Sequence, residues 1–559
     1  MHVQQDIRDL KRLEKILVVF FEEGLGYYIT QSKLSAHLPF LQRFRTGSPI
    51  PDTQAQAIHL RQAFERLGPT FVKLGQLLSL RPDLVPQEYC AEFEKLQDSV
   101  PSFPFAQVKT ILEEDLHQPI STLFTSIDSK PLASASMAQV HRAVLKTGQK
   151  VVLKVQRPNI KESIDADLDI LFLLAHSLEK HYPQLHNYRP VEVVREFALW
   201  TRKELNFEIE ARNALRLREE LKENHQVRVP KIYPEYSSKR ILTMDFMEGV
   251  KIDNLGALAH LHLNQQKIAL TYFTSVLEQA LLFGFFHADP HPANIFVQKD
   301  GKLVYLDYGI MGELNAADRR NVIRFIKSVP DKNPDKSLDI VISLARDTTH
   351  ADLGEFKRRT LPIMEEVYTY SIKERSFGHA LYEVISLGAQ YGVLFDPNHV
   401  LMAKALYQAE GLGLKLDPHF KVADGLRIFA EKYLRKTYSP LSIATEVQKT
   451  IAAQKDLLLE LPYHIQKIME RLEKPEAHDH ISIFQLHELE HEMELANRRK
   501  NIGLVVCFFI IGGSFLLYLE GRRDIIGVPL SVILFLLALG LFIYSLFIHT
   551  KENMEGRAI

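Results

Sequence analysis

The sequence predicts an α+β fold: a two-lobed body of short strands and longer helices, with a helical extension before it and a transmembrane helical hairpin after it. Three observations predict this. Residues 1 to about 115 read as helices punctuated by proline, as in PIPD (49–52) and RPDLVPQEY (81–89). Strand-like runs follow, PLASASMAQVHRAVL (131–145) and VVLKVQRP (151–158) around a TGQK turn, and a second pair lies in NIFVQKDGKLVYLDYG (294–309). Two long uncharged runs close the chain.

Composition bounds the rest. The 559 residues are 46% hydrophobic and 25% charged, enough for two or three domains with a large packed core. The net charge of −1 supplies no overall basic field, so nucleic acid is not an expected partner. The only cysteines are Cys90 and Cys507, and no basic start with an apolar run and small-residue cleavage site opens the chain. The bulk of the protein is expected in a reducing cytoplasm.

The closing runs pose a different solvent problem. Residues 503–519 and 525–548 carry no charge. At 1.5 Å per residue they measure about 26 and 36 Å, against a hydrocarbon core of about 30 Å. Two adjoining runs leave little protein to bury them, so a membrane hairpin is expected in place of two core helices. Arg498, Arg499 and Lys500 precede the first span, and Lys551 and Arg557 follow the second, whereas the EGRRD turn (520–524) balances its arginines with acids. This asymmetry puts both ends on the cytoplasmic side. Before the spans, residues 478–502 read as an amphipathic linker whose His478, His480 and His487 are weighed as metal ligands and better read as solvated.

The chemistry-bearing residues lie in the body. Lys154 sits in VVLKV, flanked by aliphatic residues; it is either an edge residue whose amine snorkels to water or a half-buried ammonium that needs an acid or anion. Candidate acids stand in KELNFEIEARN (203–213), where Glu204 and Glu208 read as one helical face and Glu210 as another, unless the run is a solvated surface. HADPHPAN (287–294) is a loop between a helix and a strand pair. Zinc at His287 and His291 is disfavoured, because Pro290 and Pro292 forbid a regular helix there and no cysteine or HExxH pattern accompanies them; bracing the loop is the expected role. Asp289, Asn294 and the triplet Asp307, Tyr308, Gly309 keep the order and spacing of a protein kinase catalytic loop and its metal-binding triplet. Phosphoryl transfer explains these residue types: hard oxygen donors for Mg²⁺ and a separate carboxylate to orient the nucleophile.

With these motifs in place, the chain resembles the UbiB (aarF) family of atypical protein-kinase-like proteins, found in bacteria, mitochondria and plastids and associated with ubiquinone biosynthesis. FVKLGQLLSLRPDLVP (71–86) is similar to the family's KxGQ signature, PLASASMAQVH (131–141) to its Ala-rich loop, and VVLKVQRP, ELNFEIEARN, HADPHPAN and YLDYG follow in the family's order. The paired C-terminal spans and the overall length resemble bacterial members. The resemblance implies an atypical kinase fold with residues 1–115 as extension, 116–477 as the kinase-like domain and a lobe boundary near 250. It implies ATP (or ADP) and Mg²⁺ as cofactors: Lys154 on the nucleotide phosphates and paired to Glu210; Asp289 as catalytic carboxylate; Asn294 and Asp307 as metal ligands. Glu204 would be available to Lys73, and Lys73 and Gln76 would gate the site. Leu132, Ala133, Ser134, Ala135, Ser136, Met137, Ala138, Gln139 and Val140 would close over the phosphates, with alanine in positions where glycine gives other kinases backbone freedom.

Two departures from ordinary kinases matter. No Ala-Pro-Glu follows the DYG triplet, so no platform for a protein substrate is evident. The chain between Lys154 and Glu210 is also far longer than one helix requires and reads as a family insertion. The expected function is therefore a Mg-ATP-dependent ATPase or kinase at the cytoplasmic face of a bacterial inner membrane, making lipid-like quinone precursors accessible to partner ubiquinone biosynthesis enzymes. A true protein or small-molecule kinase and a nucleotide-responsive scaffold without turnover remain the alternatives.

Overall fold

The computed structural model describes residues 2–25, 52–96, 100–181, 189–328, 333–369 and 377–437, with short fragments at 524–525, 528–529 and 536–537. The chain divides into two units, residues 1–443 and 444–559.

The extension consists of α1 (His2–Glu22), α2 (Thr53–Leu67), α3 (Pro69–Ser79), α4 (Gln87–Phe93) and α5 (Phe105–Leu116). Asp52 caps α2 by accepting from the amides of Gln54 and Ala55, which would otherwise lack partners. Gly68 ends α2 at φ 98, a left-handed conformation that other residues resist, and Pro69 starts α3. Gly75 marks a close approach: a Cβ there would lie 2.2 Å from Leu96 and 3.0 Å from Phe64. The glycine of KxGQ thus lets α3 settle against both side chains.

After α6 (Ile120–Leu123), a five-stranded antiparallel sheet forms from β1 (Phe124–Ile127), β2 (Ala133–Ser134), β3 (Ala138–Leu145), β4 (Lys150–Gln156) and β6 (Ile241–Asp245). Strand period assigns the faces of β4. Val151, Leu153 and Val155 are buried in a cluster with Val108 and Leu112 of α5, so Val152 and Lys154 face the other way. Val152 packs in the larger core with Phe207.

Between β4 and β6 the chain forms α7 (Ile160–His181), α8 (Pro190–Glu204), α9 (Phe207–Glu220) and β5 (Val227–Arg228). The single helix expected across residues 203–213 is corrected here to two. Helix α8 stops at Glu204, and Asn206, extended at φ −113 and ψ 95, caps α9 by accepting from the Glu208 amide at 3.1 Å. The break separates Glu204 from Glu208 and Glu210. Helices α7 and α8 pack against the extension in a shared apolar cluster, and Arg12 of α1 donates to both carboxylate oxygens of buried Asp167 at 2.6 and 3.0 Å.

Strand β7 (Val250–Lys251), near the expected lobe boundary, already pairs with β9 (Ile295–Val297), which pairs in turn with β10 (Leu303–Tyr305). Helices α10 (Leu255–His260) and α11 (Gln265–Leu277) come between. A π-helical turn at Glu278–Phe283 then leads into β8 (Phe285–His287), which pairs with β11 (Met311–Glu313). Helices α12 (Ala316–Ser328), α13 (Pro334–Ile342), α14 (Leu353–Thr369), α15 (Phe377–Leu387), α16 (Pro397–Leu416) and α17 (Val422–Thr437) complete the unit. Helix α16 is buried along most of its length and packs on α11 and α15.

The expected linker at 478–502 and the span at 503–519 lie outside the described residues, as does most of the span at 525–548. Where the second span was expected to begin, Asp524–Ile525 pairs with Val528–Pro529 as short antiparallel strands. Among the described residues, no helix is long and apolar enough to cross a membrane.

Removing the α9 cap with Asn206→Ala is expected to cost about 1 kcal/mol, read as a lower melting temperature; an unchanged melting curve would show that α9 does not depend on its cap.

Candidate functional site

Lys154 leaves β4 on the face covered by α9, where Glu210 is 3% exposed. Its Nζ donates to both carboxylate oxygens of Glu210, at 2.8 and 2.9 Å, and lies 3.8 Å from Asp307 Oδ2. The ring of Phe207 lies 5.3 Å away on the same helix and adds a cation–π contact. Burial works against the charge of Lys154, but Asp307 and Glu210 outweigh it and hold the amine protonated, with its pKa above the ordinary value. Burial equally opposes ionisation of Asp307; the Lys154 charge and the Gly309 amide, which donates to Oδ1 at 2.8 Å, overcome it and hold the carboxyl at about 2.

The HADPHPAN loop is braced from several sides. His287 Nε2 donates to the carbonyl of Asp307 at 2.7 Å, and its Nδ1 accepts from the Asp289 amide at 3.3 Å, which sets the tautomer. Burial depresses the His287 pKa, so the ring is neutral at pH 7. His291 Nδ1 accepts from the Ala293 amide at 3.2 Å. Both histidines are committed to the loop, and no cluster of three or more metal-ligating His, Cys, Asp or Glu occurs among the described residues. Tyr272 donates to the carbonyl of Pro290 at 2.6 Å, Gln279 accepts from the His287 amide at 3.1 Å, and Asn213 of α9 donates to the carbonyl of Tyr308 at 2.9 Å. Asn294 Nδ2 lies 3.5 Å from the Asp289 carbonyl.

A cleft of about 920 Å³ lies beside the Lys154–Glu210 pair, neither of which is in its lining; Lys154 reaches it through Asp307. Asp289, Asn294, Asp307, His287 and His291 line it together with Lys73, Gln76 and Leu77 of α3 and Glu204 of α8. Lys73 and Glu204, both in the lining, form an ion pair. Lys404 of α16, 1% exposed, also reaches the cleft and donates to the Ser79 carbonyl and, at 2.7 Å, to Glu94 Oε1. Next to it, Arg81 donates to both oxygens of Asp83 at 2.8 and 2.7 Å and pairs with Glu196, fixing the loop after α3.

The Ala-rich segment is held differently from a free flap. Leu132 and Ala133 are exposed, Ser136 through Gln139 are buried, and only Ser134 of the segment 132–140 lines the cleft among the described residues. The turn between β2 and β3 is closed by Ala135 N donating to Ala138 O, and Met137 at its tip packs with the extension. Arg157 clamps it, donating to Ala135 O and Ser134 Oγ at 2.9 Å. Gln139 is spent elsewhere: its Oε1 accepts from the Phe103 amide at 2.9 Å. None of the alanines adopts positive φ.

Sequence reasoning had no place for Lys404, Gln279, Asn213 or Arg157. Lys404 left a trace, a lone lysine in the otherwise apolar run VLMAKAL (400–406). The π-helical turn before the loop left none, since its extra residue per turn depends on the packing around it.

A strand lysine tied to a helix glutamate, beside an Asp-Tyr-Gly triplet and an Asp/Asn loop, defines the class as an atypical kinase-like protein. Residues 95–340 match the ABC1 atypical kinase-like domain and 361–421 the UbiB helical domain. The chain belongs to the UbiB family. It is 32% identical over 517 residues to a probable protein kinase UbiB of Marinobacter nauticus, across 90% of this chain and 94% of that one. The corresponding protein of Shewanella loihica is 34% identical over 412 residues, 72% of this chain and 74% of its own. A chloroplast relative from Arabidopsis thaliana, Activity of BC1 Complex Kinase 7, is 34% identical over 462 residues, and the alignment spans 82% of this chain and 66% of that relative's length. A solved structure of a Mycobacterium tuberculosis protein in complex with erythromycin aligns at 21% identity and a TM-score of 0.43, over 61% of this chain and 87% of its own.

Two outcomes follow from this geometry. Glu210→Leu strands a half-buried ammonium and is expected to destabilise the fold by about 3 kcal/mol, whereas Lys154→Met with Glu210→Leu removes both charges and recovers part of that loss. Chemical denaturation of the two singles and the double tests this; strict additivity would mean the pair is not coupled. Lys404→Met leaves the Ser79 carbonyl without its donor, so amide exchange is expected to accelerate in residues 69–96 and stay unchanged in 138–156.

Proposed function

We propose that the protein is a Mg-ATP-dependent ATPase or kinase that supports ubiquinone biosynthesis at the bacterial inner membrane, by making lipid-like quinone precursors accessible to partner enzymes. The observation that carries the reading is Lys154, bonded to both oxygens of Glu210 and 3.8 Å from Asp307, which lines a cleft together with Asp289 and Asn294. In this reading Lys154 receives the nucleotide phosphates, and Glu210 fixes the amine so that no rotamer search precedes binding. Asp289, held by the bonds of His287 around it, orients the attacking oxygen and accepts its proton. Asn294 and Asp307 offer an amide oxygen and an ionised carboxylate, the hard donors that Mg²⁺ takes in small number beside water and phosphate oxygens. A bound Mg²⁺ would neutralise charge building on the transferred group.

The position of α3 favours turnover on a small acceptor or water over a protein substrate. Lys73, Gln76 and Leu77 occupy part of the lining of the cleft that holds Asp289, which leaves less room for a peptide, and the Lys73–Glu204 pair ties α3 to α8. The cleft volume suits a small ligand. The tie to quinone precursors rests on membership of the UbiB family and on the uncharged runs at 503–519 and 525–548.

The test is phosphate release from Mg-ATP by the full chain in anionic liposomes. Asp289→Asn is expected to lower kcat by about 10²–10⁴ with nucleotide binding retained. Full activity in this variant would remove Asp289 from the mechanism; stable transfer to an added acceptor in place of release would make the protein a kinase; binding without turnover in the wild type would make it a scaffold. Chelating Mg²⁺ with EDTA is expected to abolish release, and restoring Mg²⁺ to recover it.

A further inference from the structure

A second cavity, of about 560 Å³, lies on the side of α3 facing away from Lys73 and Gln76. Helices α1, α2, α3, α4, α7 and α8 all contribute to it. No charged side chain lines it among the described residues, and the polar side chains there are Gln56, Tyr89 and Ser177. Two of these satisfy each other, for Tyr89 donates to Gln56 Oε1 at 2.9 Å. Protein interiors are close-packed and seldom hold a void larger than a water molecule, so an apolar cavity in the size range of ligand sites is a feature to be explained. Phe20, Leu174 and Leu178 in its lining are half-exposed, which gives it a rim at the surface.

We propose that this cavity is a binding site for the hydrocarbon chain of an amphiphile, an acyl or prenyl chain whose polar end stays outside it. The lining decides the chemistry. A polar or charged ligand, or an extended peptide with its amides, would lose its hydration there and find no partners. A hydrocarbon chain loses nothing polar and gains close contact with Phe71, Leu74 and Leu78. These three belong to the helix whose other face carries Lys73 and Gln76, and Phe93 lines both the cavity and the polar cleft. One helix therefore stands between the chain site and the phosphate chemistry. The assignment deepens the lipid-coupled reading above and rests on it for the chain's role.

The experiment uses the full chain in liposomes containing a diazirine-bearing fatty acid or a diazirine-bearing prenyl alcohol, with labelled peptides located by mass spectrometry. Label is expected on peptides covering α3 and α7. Ala175→Phe fills the cavity from α7, where Ala175 is buried in its wall, and is expected to cut that label several-fold with nucleotide binding unchanged. Should this variant fail to bind nucleotide or melt early, Leu178→Trp at the rim takes its place. Label from only one of the two probes supports the site and identifies the chain type. Label confined to residues 503–548, or label on α3 and α7 that neither variant reduces, overturns the proposal. Phosphate release measured on the same liposomes separates the two readings: release without labelling sinks the chain site alone, and labelling without release sinks the turnover.

Discussion

An ammonium on a buried strand face needs its charge answered, and the centre of this molecule is arranged around that demand. Lys154 is placed by strand period on the face of β4 opposite Val151, Leu153 and Val155, with too little water to solvate it. Glu210 answers from α9 and Asp307 from the segment that follows β10. For both acids to arrive, α9 must start anew at Asn206 instead of continuing α8, and the Asp-Tyr-Gly triplet must be pinned to α9 through Asn213. The ion pair is thus less a source of stability than a condition of geometry, because two desolvated charges gain little net energy from each other but lose much if either is left alone.

The extension is part of the same arrangement. Helix α3 forms a wall of the cleft, tied on one side by Lys73 to Glu204 and secured at its end by Lys404, whose amine takes the Ser79 carbonyl. The Ala-rich turn is buried under the extension at Met137 and clamped by Arg157. A segment held at both tip and base moves only if the extension moves with it, so the position of the Ala-rich turn and the seating of α3 are linked by packing. The short, non-glycine turn is consistent with this: alanines with negative φ suit a fixed hairpin, where a glycine-rich loop would keep conformational freedom.

The local sequence determined a good deal. Alternating aliphatics around Lys154 and prolines that forbid a helix in HADPHPAN specify strand and loop, because each depends on residues within a few positions of one another. The role of the two histidines as loop braces was legible for the same reason. Tertiary structure decided the rest. A break at Asn206 puts Glu204 and Glu210 on two helices, where they meet the partners the resemblance implied, Lys73 and Lys154; Gln139 turns to Phe103 instead of the cleft; Lys404 meets Ser79 from a helix more than three hundred residues away in the chain. The apolar cavity behind α3 is assembled from six helices, none of whose patterns differs from that of an ordinary buried face. Such features depend on which distant surfaces meet, and hydrophobic period reports only that a face is buried, not against what.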